Sequence, residues 1–260
     1  MGRIAGIDVS SAQGTIAPAD WRALASRGVR FVYVKCGDGN NRPDPFFPRY
    51  VADARAAGLV VGAYHVGFPL PVDPAHLGRD AATQARMHVQ QSGALGSQSG
   101  DLPPVLDFEW PLPKDWAEWG VTSAGACEWG LDYLATIAGL IGRTPLIYTY
   151  PDFFQHVALG ADVSRYASYP LWLARYEVAA PGTIAPWGAP LFWQKSNGGG
   201  RLPNGEPVDE DEFIGDEAAV QWLLRGPSSS PVAPAVAAGG GAAVLLALVT
   251  AAIAIALRRA

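Results

Sequence analysis

The chain has 260 residues, 49% hydrophobic and 17% charged, with 30 Gly and 22 Pro. That length suffices for one large core, or for a folded domain followed by a tail. The formal net charge is -5 and the 19 Lys and Arg are scattered along the chain, which excludes the basic stripe that marks a nucleic-acid partner.

Met1 leads directly into "GRIAGIDVS", without the basic segment, apolar core and small-residue cleavage site of a secretory signal. The chain is therefore expected to begin inside its first structural element. Short runs rich in Val, Ile, Leu and aromatics then recur: "RIAGID", "FVYVKC", "LVVGAYHV", "PPVLDFE", "PLIYTY", "PLWLARY" and "APLFWQ". Each reads as a buried strand. Between the early ones lie "APADWRALASRG", "DPFFPRYVADARAAG", "GRDAATQARMHVQQSG" and "TSAGACEWGLDYLATIAGLIG", which have helical spacing and mostly end near a Gly. Strand followed by helix, repeated, predicts a parallel sheet. After residue 150 the long helices thin out, and "PNGE" offers an Asn-Gly hairpin turn. About eight strands with helices concentrated in the first two thirds predict an α/β barrel that loses its outer helices toward the end. A doubly wound open sheet is the alternative, but no Gly-rich phosphate loop follows the first strand. Cys36 and Cys127 have neither metal-ligand spacing nor a disulfide framework around them, and read as two separate core thiols.

The composition changes after Leu224. "RGPSSSPVAPAVAAGGG" is too poor in large apolar side chains to fold and reads as a linker over 225–241. Residues 242–257 run without a charge and stop at Arg258 and Arg259. A bilayer span takes roughly 20 apolar residues, so this segment needs the Ala and Gly before it to cross. The run is apolar all round, which disfavours a packed amphipathic helix. The expectation is a C-terminal apolar helix over 242–260, giving membrane association through 242–257 with the large domain, residues 1–224, facing outward. A processed sorting tail is the alternative.

In a barrel of this kind, chemistry collects at the C-terminal ends of the strands. Polar residues gather there: Asp8, Lys35 and Asp38, Tyr64 and His65, Asp107 and Glu109, Tyr148 and Tyr150, Arg175 and Tyr176, Gln194, and Asp209. Side chains alternate along a strand, so Asp107 and Glu109 point to one side while Leu106 and Phe108 point to the other. Two carboxyl groups sharing a pocket cannot both ionise freely, so one should keep a proton beside a charged partner. Cleavage of a glycosidic bond needs that pairing: an acid for the leaving oxygen and a carboxylate to stabilise charge at the sugar carbon. Spacing alone is weak evidence, because "DEDE" at 209–212 also places acids two apart. Rings should line the rest of such a groove, stacking on the apolar faces of sugars, and Tyr64, Tyr148, Trp172 and Trp193 are the candidates. His65 lies apart from the other histidines and is expected to anchor a loop, not to bind a metal.

"GIDVSSAQG" resembles the opening motif of the glycoside hydrolase family 25 lysozymes. The likeness continues, in the family's order, through "FVYVKCGDG", "VVGAYHVGFP", "PPVLDFE", "PLIYTY", "PLWLARY" and "LFWQKSNGGGRLPNGEPVD", covering residues 3 to 215. The resemblance implies an irregular TIM-like β/α barrel with eight strands and about five main helices. It implies cleavage of the β-1,4 bond between N-acetylmuramic acid and N-acetylglucosamine, with peptidoglycan as partner and neither cofactor nor metal. A monomer is expected. Position by position, Glu109 matches the family's proton donor and Asp107 its assisting neighbour, while Asp8 and Asp209 match two further acids of the cleft. Tyr64, Tyr148, Trp172, Gln194 and Asp38 are the expected substrate-binding residues. Two departures stand out: Asp38 replaces the usual Glu, and Lys195 follows Gln194 where Tyr is common, which would put a cation near the cleft. A phage lysin, a non-catalytic carbohydrate-binding protein and a polysaccharide deacetylase are the readings left open.

Overall fold

The computed structural model describes residues 2–69 and 77–225. Nine strands form one sheet: β1 (Arg3–Val9), β2 (Phe31–Asp38), β3 (Arg42–Pro43), β4 (Val60–Val66), β5 (Val105–Asp107), β6 (Leu146–Thr149), β7 (Leu171–Ala174), β8 (Phe192–Arg201) and β9 (Pro207–Ile214). β1 pairs in parallel with β2 and antiparallel with β9, so the sheet closes into a ring of eight strands. That closure rules out the open doubly wound sheet. The two-residue β3 hangs outside the ring, antiparallel to the end of β2.

β1, β2, β4, β5, β6, β7 and β8 run parallel to one another, and β9 runs against both of its neighbours. This explains why helices thin out late in the chain. A parallel neighbour needs a crossover, whereas an antiparallel one needs only a turn. The β8–β9 connection is such a turn: Leu202 N–H donates to the Glu206 carbonyl and Gly205 N–H to that of Leu202. Gly205 has φ 94°, a left-handed conformation that glycine adopts without steric penalty. The Asn-Gly signal in "PNGE" was therefore legible in advance.

Among the described residues seven α-helices pack around the ring or across its end: α1 (Pro18–Ser26), α2 (Phe47–Ala56), α3 (Leu77–Ser92), α4 (Trp116–Trp119), α5 (Ser123–Ile141), α6 (Pro151–Val157) and α7 (Glu217–Leu223). The four longest coincide with the four segments of helical spacing. α5 starts where the Thr122 hydroxyl accepts the Gly125 N–H at 3.0 Å, a cap worth about 1 kcal/mol, and stops at Gly142 with φ 72°.

Alternation along each strand divides the apolar side chains into layers. Val105, Tyr33, Trp172 and Phe192 fill the barrel interior. Leu106 and Phe108 point outward instead, where Phe108 meets Trp129 of α5 at 5.7 Å and Phe153 of α6 at 5.2 Å. Val32 and Val34 pack outward with Trp21 of α1 and Tyr50 of α2. Each large apolar side chain so buried contributes about 1.5–3 kcal/mol. The barrel interior is crowded enough to require Gly62, where an added Cβ would lie 2.3 Å from the Tyr33 ring. Cys36 and Cys127 are both buried and free, as two separate core thiols.

The final helix α7 seals the lower end of the barrel with Leu223 and Leu224, and the Leu224 carbonyl accepts the Gly100 N–H at 2.7 Å. Among the described residues no helix is long and apolar enough to cross a membrane. The apolar run at 242–257 and the linker at 225–241 lie outside the described residues.

Candidate active site

At the upper end of the barrel the strand ends surround a cleft of ≈ 170 Å³ lined by Asp8, Tyr64, Asp107, Glu109, Tyr148, Trp172, Tyr176, Gln194, Asn197 and Asp209. Four of these are acids contributed by three strands and the loop after one of them. Asp8 is the penultimate residue of β1 and lies directly opposite Asp209 in the β1–β9 ladder. Asp107 is the last residue of β5. Beyond it Phe108 N–H still donates to the Tyr148 carbonyl at 2.9 Å, which carries the strand-like alternation on and returns Glu109 to the cleft side.

A floor of hydrogen-bonded polar groups holds these carboxyls in place. Gln194 Nε2 donates to Asp8 Oδ2 at 2.7 Å, while Gln194 Oε1 accepts from the hydroxyls of Tyr148 at 2.8 Å and Tyr176 at 2.6 Å. Two hydroxyl donors on one oxygen and an acid on the other end leave the amide a single sensible orientation. Asp209 accepts the Gly198 N–H. Trp172 donates its Nε1 proton to Asp211 at 2.9 Å, and its ring is packed by Tyr33 at 4.8 Å, Tyr148 at 5.0 Å and Tyr64 at 6.3 Å.

Burial of so many acids displaces their proton affinities upward. Glu109 is raised to about 7, first by burial and then by the charge of Asp209, with Lys35 opposing. Asp8 is also raised to about 7, by burial and by Asp209, against the hydrogen bonds from Gln194 and Asp211. Asp107, 6% exposed, is raised further by burial and by Glu109. Asp209 is raised by burial and lowered by the Gly198 N–H. Both Asp107 and Glu109 are pushed toward their neutral forms. Asp107 is the deeper of the two, and a charge on Glu109 adds to the cost of ionising it. Glu109 is the member that changes charge near neutrality, where a general acid works best.

A family model for glycosyl hydrolases family 25 matches residues 7–201, a span containing Asp8, Asp107 and Glu109. The chain belongs to glycosyl hydrolases family 25. It is thus a glycoside hydrolase. Lysozyme M1 of Streptomyces globisporus is 29% identical over 222 residues, covering 85% of this chain and 71% of that protein. Among solved structures, the bacterial lysozyme from Streptomyces coelicolor superposes with a TM-score of 0.75 at 27% identity, covering 86% of this chain and 98% of the other. The muramidase from Acremonium alcalophilum superposes with a TM-score of 0.71 at 31% identity, covering 85% and 99%. The irregular barrel of eight strands is the shared architecture.

Eight of the nine site residues expected from the sequence of this family 25 hydrolase line the cleft: Glu109, Asp107, Asp8, Asp209, Tyr64, Tyr148, Trp172 and Gln194. Asp38 does not. Its carboxylate is bound by Lys35 at 2.9 Å and Arg42 at 2.5 Å at the β2–β3 hairpin, outside the cleft lining. Trp193 also fails as a groove ring. It alternates with the cleft-lining Gln194 and points out of the barrel, donating Nε1–H to the Arg175 carbonyl at 2.7 Å with the Arg3 guanidinium over its ring. Lys195 supplies no cation to the cleft, since its ammonium lies 3.3 Å from Glu212, which also binds Arg3. His65 is fully buried and stacked on His88 at 5.5 Å, and burial lowers it to about 3 against the opposing effect of the Gly39 backbone in the β2–β3 turn.

Three residues of the site escaped the sequence reading as binding candidates. Tyr176, 38% exposed, offers the open ring that Trp172, at 2% exposed, cannot. Its position at the end of "PLWLARY" was the available signal. Asn197 enters through the irregular pairing of β8, where register shifts between Gln194 and Gly200 turn it toward the cleft. Asp211 sits below the cleft on β9, hidden in the sequence inside an acidic run that reads as solvated.

Proposed function

We propose that this cleft hydrolyses the β-1,4 bond between N-acetylmuramic acid and N-acetylglucosamine in peptidoglycan, with Glu109 as proton donor and Asp107 assisting. The observation that carries the reading is the convergence of Asp8, Asp107, Glu109 and Asp209 on one pocket in which Glu109 keeps its proton up to about 7. The relatives described as lysozymes and muramidases support the substrate.

Glu109 is the more open of the β5 pair and delivers its proton to the leaving glycosidic oxygen. Asp107 lies beneath it, a neutral carboxyl that orients the reacting sugar by hydrogen bonding. Positive charge developing at the sugar carbon is met by the two carboxyls held by fixed donors: Asp209, which accepts the Gly198 N–H, and Asp8, which accepts from Gln194. Tyr176 gives a ring for the apolar face of a neighbouring sugar, and Tyr64, Tyr148 and Gln194 shape the floor. All of these groups come from one chain, which supports action as a monomer. The uncharged run at 242–257 with Arg258 and Arg259 after it supports anchoring at a membrane beside the wall.

The test is digestion of purified peptidoglycan followed by borohydride reduction of the fragments. Reduced N-acetylmuramic acid at the new ends is the expected product. Acetate released without chain cleavage points to a deacetylase, and binding without either product to a carbohydrate-binding protein. Either result overturns the proposal.

A further inference from the structure

Asp211 is 1% exposed and lies on β9 two residues beyond Asp209, on the same side of the strand. Its Oδ1 accepts the Trp172 Nε1 proton at 2.9 Å, whereas its Oδ2 is buried with no donor in reach. An ionised carboxylate with one oxygen orphaned in a dry site is costly. The Asp211 carboxyl lies close enough to that of Asp8 for the two to share a proton. Two carboxyl groups hydrogen-bond only when one of them holds a proton.

Burial says which. Each carboxyl accepts from one fixed donor, Asp8 Oδ2 from Gln194 Nε2 and Asp211 Oδ1 from Trp172 Nε1, and the Gln194 amide cannot flip because its oxygen takes the hydroxyls of Tyr148 and Tyr176. Asp211 is the drier of the two, 1% exposed against 7% for Asp8, which opens on the cleft, so charge is less costly on Asp8 and Asp211 is left to donate from its orphaned Oδ2. We propose that Asp211 is a positioning residue of this cleft, a carboxylic acid that stays neutral and whose hydroxyl holds Asp8 ionised and fixed toward the substrate. Asp211 donates from Oδ2 to Asp8 while its Oδ1 accepts from Trp172, which satisfies both of its oxygens. The groups that face it are Asp8 from β1, Tyr33 from β2, Trp172 from β7 and Asp209 from its own strand. Burial and the charge of Asp8 both push the Asp211 proton affinity well up, while the same hydrogen bond pulls that of Asp8 down. The inference rests on the reading of the cleft as a glycan-cleaving site, and adds to it the source of the negative charge on Asp8.

Two measurements test it. Full-length protein labelled with carboxyl 13C aspartate is titrated by NMR, with Asp211→Asn identifying the Asp211 resonance. The resonance is expected to remain at the protonated position from about pH 4 to 8; ionisation near the ordinary carboxylate range overturns the proposal. Wall cleavage is then compared across pH. Asp211→Leu, which removes the donor to Asp8, is expected to lower kcat by roughly tenfold or more, with KM little changed and the pH profile displaced. Asp211→Asn, which can donate to Asp8 and accept from Trp172, is expected to recover most of that loss. Equal loss in both variants, or none in the Leu variant, overturns the proposal. If the wild-type chain cleaves no glycan, the functional reading fails, and the NMR titration still decides where the proton resides.

Discussion

Asp8 and Asp209 lie directly opposite one another across the antiparallel β1–β9 ladder, although they come from opposite ends of the folded chain. Like charges directly opposed on a ladder are destabilising. The barrel accepts this cost at its mouth because β1 and β9 are the two strands that close it, and both end in the cleft. The charge of Asp209 raises the proton affinities of both Asp8 and Glu109, so the closure that makes the fold also prepares Glu109 to hold a proton.

Glu109→Gln keeps the shape of the side chain and removes the proton donor. The variant is expected to fold normally, by far-UV circular dichroism, and to lose ~10²- to 10⁴-fold in turnover on peptidoglycan. In the wild type the acid must be protonated, so kcat/KM should fall as pH rises through about 7. Near wild-type cleavage by the variant would remove Glu109 from its assigned role.

The same protons shape stability. Glu109 and Asp107 have folded proton affinities above their unfolded ones, so each contributes stability that is fully present below the ordinary carboxylate range and is lost as pH rises through the folded value. For Glu109 the window runs from 4.5 to about 7, and the loss is on the order of 3 kcal/mol. Glu109→Gln and Asp107→Asn should therefore be more stable than wild type at pH 8, with the advantage vanishing near pH 4. His65 and His88, lowered by burial, change stability in the opposite direction, but do so in every variant and cancel in the difference. Thermal unfolding at a series of pH values measures this; an advantage independent of pH would contradict it.

Tyr176 and Trp193 separate ring contact from ring packing. Tyr176→Ala removes the exposed ring of the cleft and is expected to raise KM up to roughly tenfold. Trp193→Phe lies on the outer face, so KM should be unaltered, while loss of the bond to the Arg175 carbonyl costs about 1 kcal/mol of stability. Michaelis kinetics on soluble peptidoglycan fragments, paired with denaturant titration, distinguish the two. A rise in KM for Trp193→Phe would place that ring in the substrate path.

Much of the catalytic face was readable from local pattern. Strand periodicity by itself determined that Asp107 and Glu109 share a side while Leu106 and Phe108 take the other, and strand-helix alternation determined that Asp8, Tyr64, Tyr148 and Gln194 lie on separate parallel strands of one sheet. These are properties of a few consecutive residues, set by the geometry of an extended chain. Asp38, Lys195 and Trp193 were misplaced because each also lies near a strand end, and its direction depends on partners that folding supplies: Arg42 across the β2–β3 hairpin, Glu212 on β9, the Arg175 carbonyl just after β7. Asp211 was hidden for the same reason. In the sequence it is one acid among four, and only closure of β9 onto β1 removes it from water and sets it beside Asp8. Depth, and hence which carboxyl keeps its proton, belongs to the tertiary structure, because desolvation and charge repulsion are summed over everything that surrounds a group in space.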